Sequence, residues 1–181
     1  MPLYALGDKR PQIHSTAWVH PDAVLIGDVR VGAESSIWPK VVIRADNSPI
    51  TIGKRSSVQD GSVLHTQDDN HTTIGDNCVI GHLVHLEGCT IEDCVLVGSN
   101  AVVLERVVCR KGSLVGASAL VTAGVEVPSA AIAVGVPAQI KPNAVPLERI
   151  LLNAQSYVDH LIEHRDSMKE VDLESCINDE L

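Results

Sequence analysis

Phenylalanine is absent from this 181-residue chain, and tryptophan and tyrosine number two each. An aromatic share of 2% is too low for a layered globule that fills its core with rings, and it fits a narrow interior of stacked short aliphatic side chains. Positive charge is also scarce. Lys and Arg total 14 against 23 Asp and Glu, and the net charge of -9 argues against nucleic acid or an acidic membrane surface as a partner. No apolar run approaches a membrane span, and Met1 to Arg10 lacks the form of a signal peptide, so the expected location is cytoplasmic. Cys78, Cys89, Cys94, Cys109 and Cys176 show no CxxC spacing, which leaves reduced, structural thiols as the reading. The length fits a single domain with an appendage.

What the chain does have is a period of six. Ile74-Gly-Asp-Asn-Cys-Val is followed by Ile80-Gly-His-Leu-Val-His and then Leu86-Glu-Gly-Cys-Thr. A helix would place apolar residues three and four apart, and an ordinary strand alternates by two without a glycine at fixed phase. A unit of aliphatic-Gly-x-x-small-x is instead a hexapeptide repeat, one short strand plus a turn, and such units stack into a parallel β-helix. Backwards the aliphatic position runs through Ile43, Ile37, Val31, Leu25 and Val19, so the solenoid begins before residue 20. Forwards, with one residue lost after Leu86, it runs through Ile91, Val97, Val103, Cys109, Val115, Val121, Val127 and Ala133, until Val134-Gly-Val-Pro-Ala ends the ladder. Cys78 and Cys109 fall at interior positions and act as small apolar residues.

Two polar slips interrupt the count, Ala45 to Pro49 and Thr66 to Thr73, and both are expected to project from the coil as loops. After Pro146, the spacing of Leu147, Ile150, Leu151, Ala154, Tyr157, Val158, Leu161 and Ile162 predicts an amphipathic helix lying on apolar wall. The predicted organisation is therefore all-β: a left-handed parallel β-helix over residues 1–140, a C-terminal α-helix over 141–169, and a frayed acidic tail over 170–181.

Register turns this pattern into a site. Three hexads make one triangular coil, so residues three units apart at one phase stack about 4.8 Å apart, as neighbouring strands do. That arithmetic puts Arg44, His65 and Glu87 in one column and Asp60 beneath His82 in a second column on a neighbouring face. Two faces of a solid prism converge only if subunits pack around a threefold axis. His65 and Glu87 of one chain would then meet His82 of the next, two imidazoles and a carboxylate fit to hold zinc with a fourth position open. One coil below, Arg44 would meet the neighbour's Asp60.

The chain resembles the γ-class carbonic anhydrases and their left-handed β-helical homologues in Ile37-Trp38-Pro39 with Arg44-Ala45-Asp46, in Ser57-Val58-Gln59-Asp60-Gly61-Ser62-Val63-Leu64-His65, and in Gly81-His82 with Gly88-Cys89-Thr90-Ile91. The resemblance implies a homotrimer, a divalent metal (Zn2+, with Fe2+ or Co2+ as alternatives) and the reversible hydration of carbon dioxide to bicarbonate. By the same likeness His65 and His82 are two of three metal-ligand histidines, and Arg44, Asp46 and Asp60 belong to the interface network. Gln59 would hold the water, and Tyr157 and Asn153 lie where the C-terminal helix reaches the pocket; Gln59 and Tyr157 are the catalytic candidates. Where the third histidine of the pattern would stand, this sequence has Glu87, with an extra His85 as the fallback ligand.

His85 is read as sitting at a turn, facing away from the site, and His71 as a loop residue. His14, His20, His160 and His164 are read as structural or solvated. Two other function classes fit the repeat: a hexapeptide acyltransferase, against which the lack of an obvious basic pocket for coenzyme A weighs, and a non-catalytic trimeric scaffold or small-ligand binder.

Overall fold

The computed structural model describes residues 2–143 and 146–178. Its strands wind into a parallel solenoid with three faces. The first face carries the leading halves of Val24–Val31 and Val42–Ile52, then Val63–His65, His85–Glu87, Val102–Val103 and Leu120–Val121. The second carries the trailing halves of the same two long strands, then Thr72–Ile74, Thr90–Ile91, Val108–Cys109 and Glu126–Val127. The third runs Trp18–Val19, Ser36–Ile37, Ser57–Val58, Val79–Ile80, Leu96–Val97, Leu114–Val115 and Ile132–Val134. There the chain reverses at the predicted Gly-Val-Pro, and Gln139–Lys141 closes the ladder as an antiparallel edge.

The period of six is a packing rule. Ile43, Leu64, Leu86, Val103 and Val121 pair in register along the first face, and every one of them is buried. The neighbours of each point outward, because side chains alternate along a strand. Aliphatic side chains from all three faces fill the interior, which has no room for a ring. The aromatic residues lie outside it. Trp18 and Trp38, with ring centroids 5.1 Å apart, pack with Leu161 and Tyr157 beneath the C-terminal helix. That helix spans Leu147–Ser167 with Pro146 at its N-cap, and it buries Ile150, Ala154, Val158 and Leu161 against the third face. Leu147, Leu151 and Ile162 of the predicted stripe stay exposed, because a helix laid on a flat sheet buries only a narrow line of positions. The tail carries one exposed 3-10 turn, Glu174–Cys176.

Only part of the second polar slip projects as predicted. Ala45 to Pro49 stays inside the continuous strand Val42–Ile52, where the register shifts against the strand below between Gly27 and Val29. Ala45 and Ser48 are buried, and the Thr66 hydroxyl accepts from Ser48 N at 3.2 Å and donates to Ser48 O at 3.1 Å. The backbone groups that would have needed water thus find a partner in the other slip. That second slip is itself pinned at both ends by buried Thr66 and Thr72, leaving only a tight Gln67 to Asn70 turn and His71 outside. Gly88, at φ +58, is required beside it, since a Cβ there would come within 2.9 Å of Asn70 Cβ.

Candidate metal centre

The strand ladder builds the first column residue by residue. Arg44 pairs with His65 and His65 with Glu87, one coil apart at each step. His65 Nε2 lies 3.2 Å from Asp46 Oδ1, and Arg44 ion-pairs with the other oxygen of the same carboxylate. On its far side His65 Nδ1 is 3.3 Å from Glu87 Oε1. Gln67 Nε2 donates to that oxygen at 3.1 Å, and His85 Nε2 stands 3.3 Å from Oε2. Burial pushes the Asp46 and Glu87 carboxyls up, but hydrogen bonds outweigh it and both end below the usual carboxylate range. Arg44 and His65 do this for Asp46; Gln67, His85 and His65 do it for Glu87.

The second column is also present. His82 Nδ1 lies 2.9 Å from Asp60 Oδ2, both side chains about half exposed at the edge of the third face. Gln59 is buried next to them and stands near the Tyr157 hydroxyl. Burial and the Asp60 charge raise the Tyr157 pKa, with the Gln59 side chain opposing them. Trp38 braces this corner: its ring is 6.0 Å from that of Tyr157, and its Nε1 reaches Ser36 Oγ and Ser57 Oγ at 2.9 Å.

The helix therefore brings Tyr157 to Gln59, while the two columns stay on separate faces. Among the described residues, no three His, Cys, Asp or Glu of one chain are gathered closely enough to hold a metal. What one chain offers is a pair of donors. Two ligands of a tetrahedral zinc shell with bonds of about 2 Å lie about 3.3 Å apart, which is the separation of His65 Nδ1 and Glu87 Oε1. His65 Nε2–H is then left to donate to Asp46, the carboxylate that orients a metal-bound imidazole from behind. The donor set fits a divalent metal if another chain completes it.

His85 corrects the sequence reading. It lies on the strand His85–Glu87 rather than at a turn, so it points to the same side as Glu87, two residues on, with Leu86 inward between them. Arg44 and Asp60 have in-chain partners, Asp46 and His82. His20 packs edge-on to Trp18, and His164 lies against Trp18 and, edge-on at 4.9 Å, against Trp38, the structural alternative of the sequence reading. Gln67 was missed, and no signal in a polar slip marks it. Lys9 was missed too; its Nζ grips the Asp46 and Asn47 carbonyls at 2.6 and 3.1 Å across a separation no repeat predicts.

Residues 10–45 and 71–105 match the family described as bacterial transferase hexapeptide (six repeats). The chain is 32% identical to the mitochondrial γ carbonic anhydrase 2 of Arabidopsis thaliana over 94% of its own length, and it spans 66% of that relative's length. It is 37% identical to the carnitine operon protein CaiE of Escherichia coli K12, covering 88% of this chain and 82% of that one. The crystal structure of a hexapeptide transferase family protein from Anaplasma phagocytophilum superposes with a TM-score of 0.87 at 31% identity, over 90% of this chain and 98% of that one. With the repeat register, the motif residues and these likenesses in agreement, the chain belongs to the γ carbonic anhydrase-like hexapeptide-repeat family.

Proposed function

We propose that the protein is a homotrimer that hydrates carbon dioxide reversibly to bicarbonate at a divalent metal held between subunits. His65 and Glu87 of one chain and His82 of the next would hold the metal. The observation that carries this reading is the register: Glu87 directly above His65 on one face, and His82 above Asp60 on the adjoining one. When bound, Zn2+, or Fe2+ or Co2+ in its place, would supply a Lewis acid that lowers the pKa of water.

The chain's own groups do the rest. With metal bound, Asp46, fixed by Arg44, would accept from His65 Nε2–H and leave the Nδ1 lone pair for the metal shared with Glu87. Gln59, buried beside Tyr157, offers its amide to the water and orients it towards carbon dioxide. Arg44 of one chain and Asp60 of the next pair across the interface. All five cysteines are free, which suits a reducing compartment such as the cytoplasm, and among the described residues no helix is long and apolar enough to cross a membrane.

The test is elemental analysis joined to stopped-flow carbon dioxide hydration: metal and turnover that disappear together in His65→Ala support the proposal. Hydration without metal, or metal retained in full by that variant, contradicts it. The transferase-family neighbour favours a second reading, acyl transfer from coenzyme A. Saturable coenzyme A binding by the metal-free protein would select it.

A further inference from the structure

Glu87 is held on both oxygens by side chains that the repeat does not require. His85 occupies an outward column of the first face whose other members are Val24, Val42, Val63, Val102 and Leu120. An imidazole interrupts this aliphatic column at one coil, beside the carboxylate, with its Nε2 3.3 Å from Glu87 Oε2. Gln67 comes from the polar slip, and its amide donates to Oε1 at 3.1 Å. The slip is itself anchored at the site. Thr72 Oγ1 donates to His65 O at 2.6 Å and accepts from Gly88 N at 2.8 Å, so its base is tied to both strands that carry the donors.

From this geometry we infer that Gln67 and His85 are positioning residues for Glu87. They hold its carboxylate so that Oε1 and His65 Nδ1 face one divalent cation. The inference rests on the metal reading above and adds how this chain makes a carboxylate serve there. A glutamate has three side-chain torsions, and an unsupported one would lose that freedom on binding a cation. Two hydrogen bonds of the same chain fix it beforehand, and each is of the outer-shell kind whose loss weakens metal affinity by about 10- to 100-fold.

Zinc affinity, measured by chelator competition on the full-length protein, tests this with four variants. Gln67→Leu and His85→Ala should each weaken zinc by about 10- to 100-fold and alter the visible spectrum of bound Co2+. The Co2+ spectrum is the readout that a merely structural role would leave unchanged. His85→Gln, which restores an amide donor, should recover most of the affinity. If Gln67→Leu and His85→Ala bind zinc as the wild type does while His65→Ala binds none, the inference is wrong and the metal reading stands. If His85→Gln is as weak as His85→Ala, His85 is a ligand and not a positioning residue. If wild type and His65→Ala bind zinc alike, the metal reading falls and the inference falls with it.

Discussion

Glu87 lies directly above His65, one coil along the first face, with Oε1 and Nδ1 3.3 Å apart. A carboxylate at this position gives the proposed centre one unit less positive charge than a third imidazole would. Less positive charge stabilises hydroxide less, so the water should lose its proton above the pH of about 7 typical of a three-histidine zinc site. Hydration should therefore be slow at neutral pH and rise with alkalinity. Glu87→His should raise the pH 7 rate at equal metal content, by about tenfold for each pKa unit recovered. Stopped-flow profiles of both proteins decide it; a wild type already fast and flat through neutral pH would count against the argument.

The same carboxylates tie the fold to pH. Asp46 and Glu87 titrate below their ordinary range, so each contributes stability above its unfolded pKa and loses it as pH falls through the lowered native value. Asp46→Asn should accordingly be less stable than wild type at pH 7, with the gap closing as acid protonates the native carboxylate. Denaturant midpoints from pH 7 down to about 3 check this, and a gap that stays constant would contradict it.

Ser113 is a flaw in the interior. The Oγ atoms of Ser35 and Ser56 each donate to a backbone carbonyl at 2.7 Å, on Gly53 and Gly75, but that of Ser113 is buried with no partner among the described residues. Removing an unsatisfied hydroxyl recovers its desolvation cost, so Ser113→Ala should stabilise by about 1 kcal/mol. A thermal midpoint higher by about 2–4 °C is the expected result.

Burial pushes the Cys78 and Cys109 thiols up to about 12 and raises Cys89 further. In the native protein these three and Cys94, also buried and raised by burial, should be silent to a thiol reagent at pH 8, while exposed Cys176 reacts at once. Counting thiols before and after denaturation tests this, and a fast native count above one would show that the solenoid breathes more than its packing implies.

The fold was legible because the coils repeat one instruction: between the slips a small apolar residue turns inward at a spacing of six, from Leu25 to Ala133, which leaves few alternatives. The stacking of Arg44, His65 and Glu87 followed from counting units, since register in a solenoid is arithmetic. What counting could not give was anything outside the repeat. Ser48 and Thr66 satisfy one another across two slips, and Gln67 reaches Glu87 from the second; both depend on where an irregular backbone settles. The misplacement of His85 has a simpler cause. A three-residue strand, His85–Glu87, stands where the repeat suggests a turn followed by a strand of two.

The central claim is that one chain supplies His65 and Glu87 and another supplies His82. It is tested most directly by refolding His65→Ala and His82→Ala together and measuring bound metal. Each variant alone should be empty. A mixture of equal parts should recover about a quarter of the wild-type metal, because in randomly assembled threefold rings that share of interfaces joins an intact His65 to an intact His82. A mixture as empty as its components, beside a wild type that holds metal, would show that the centre is not shared between chains.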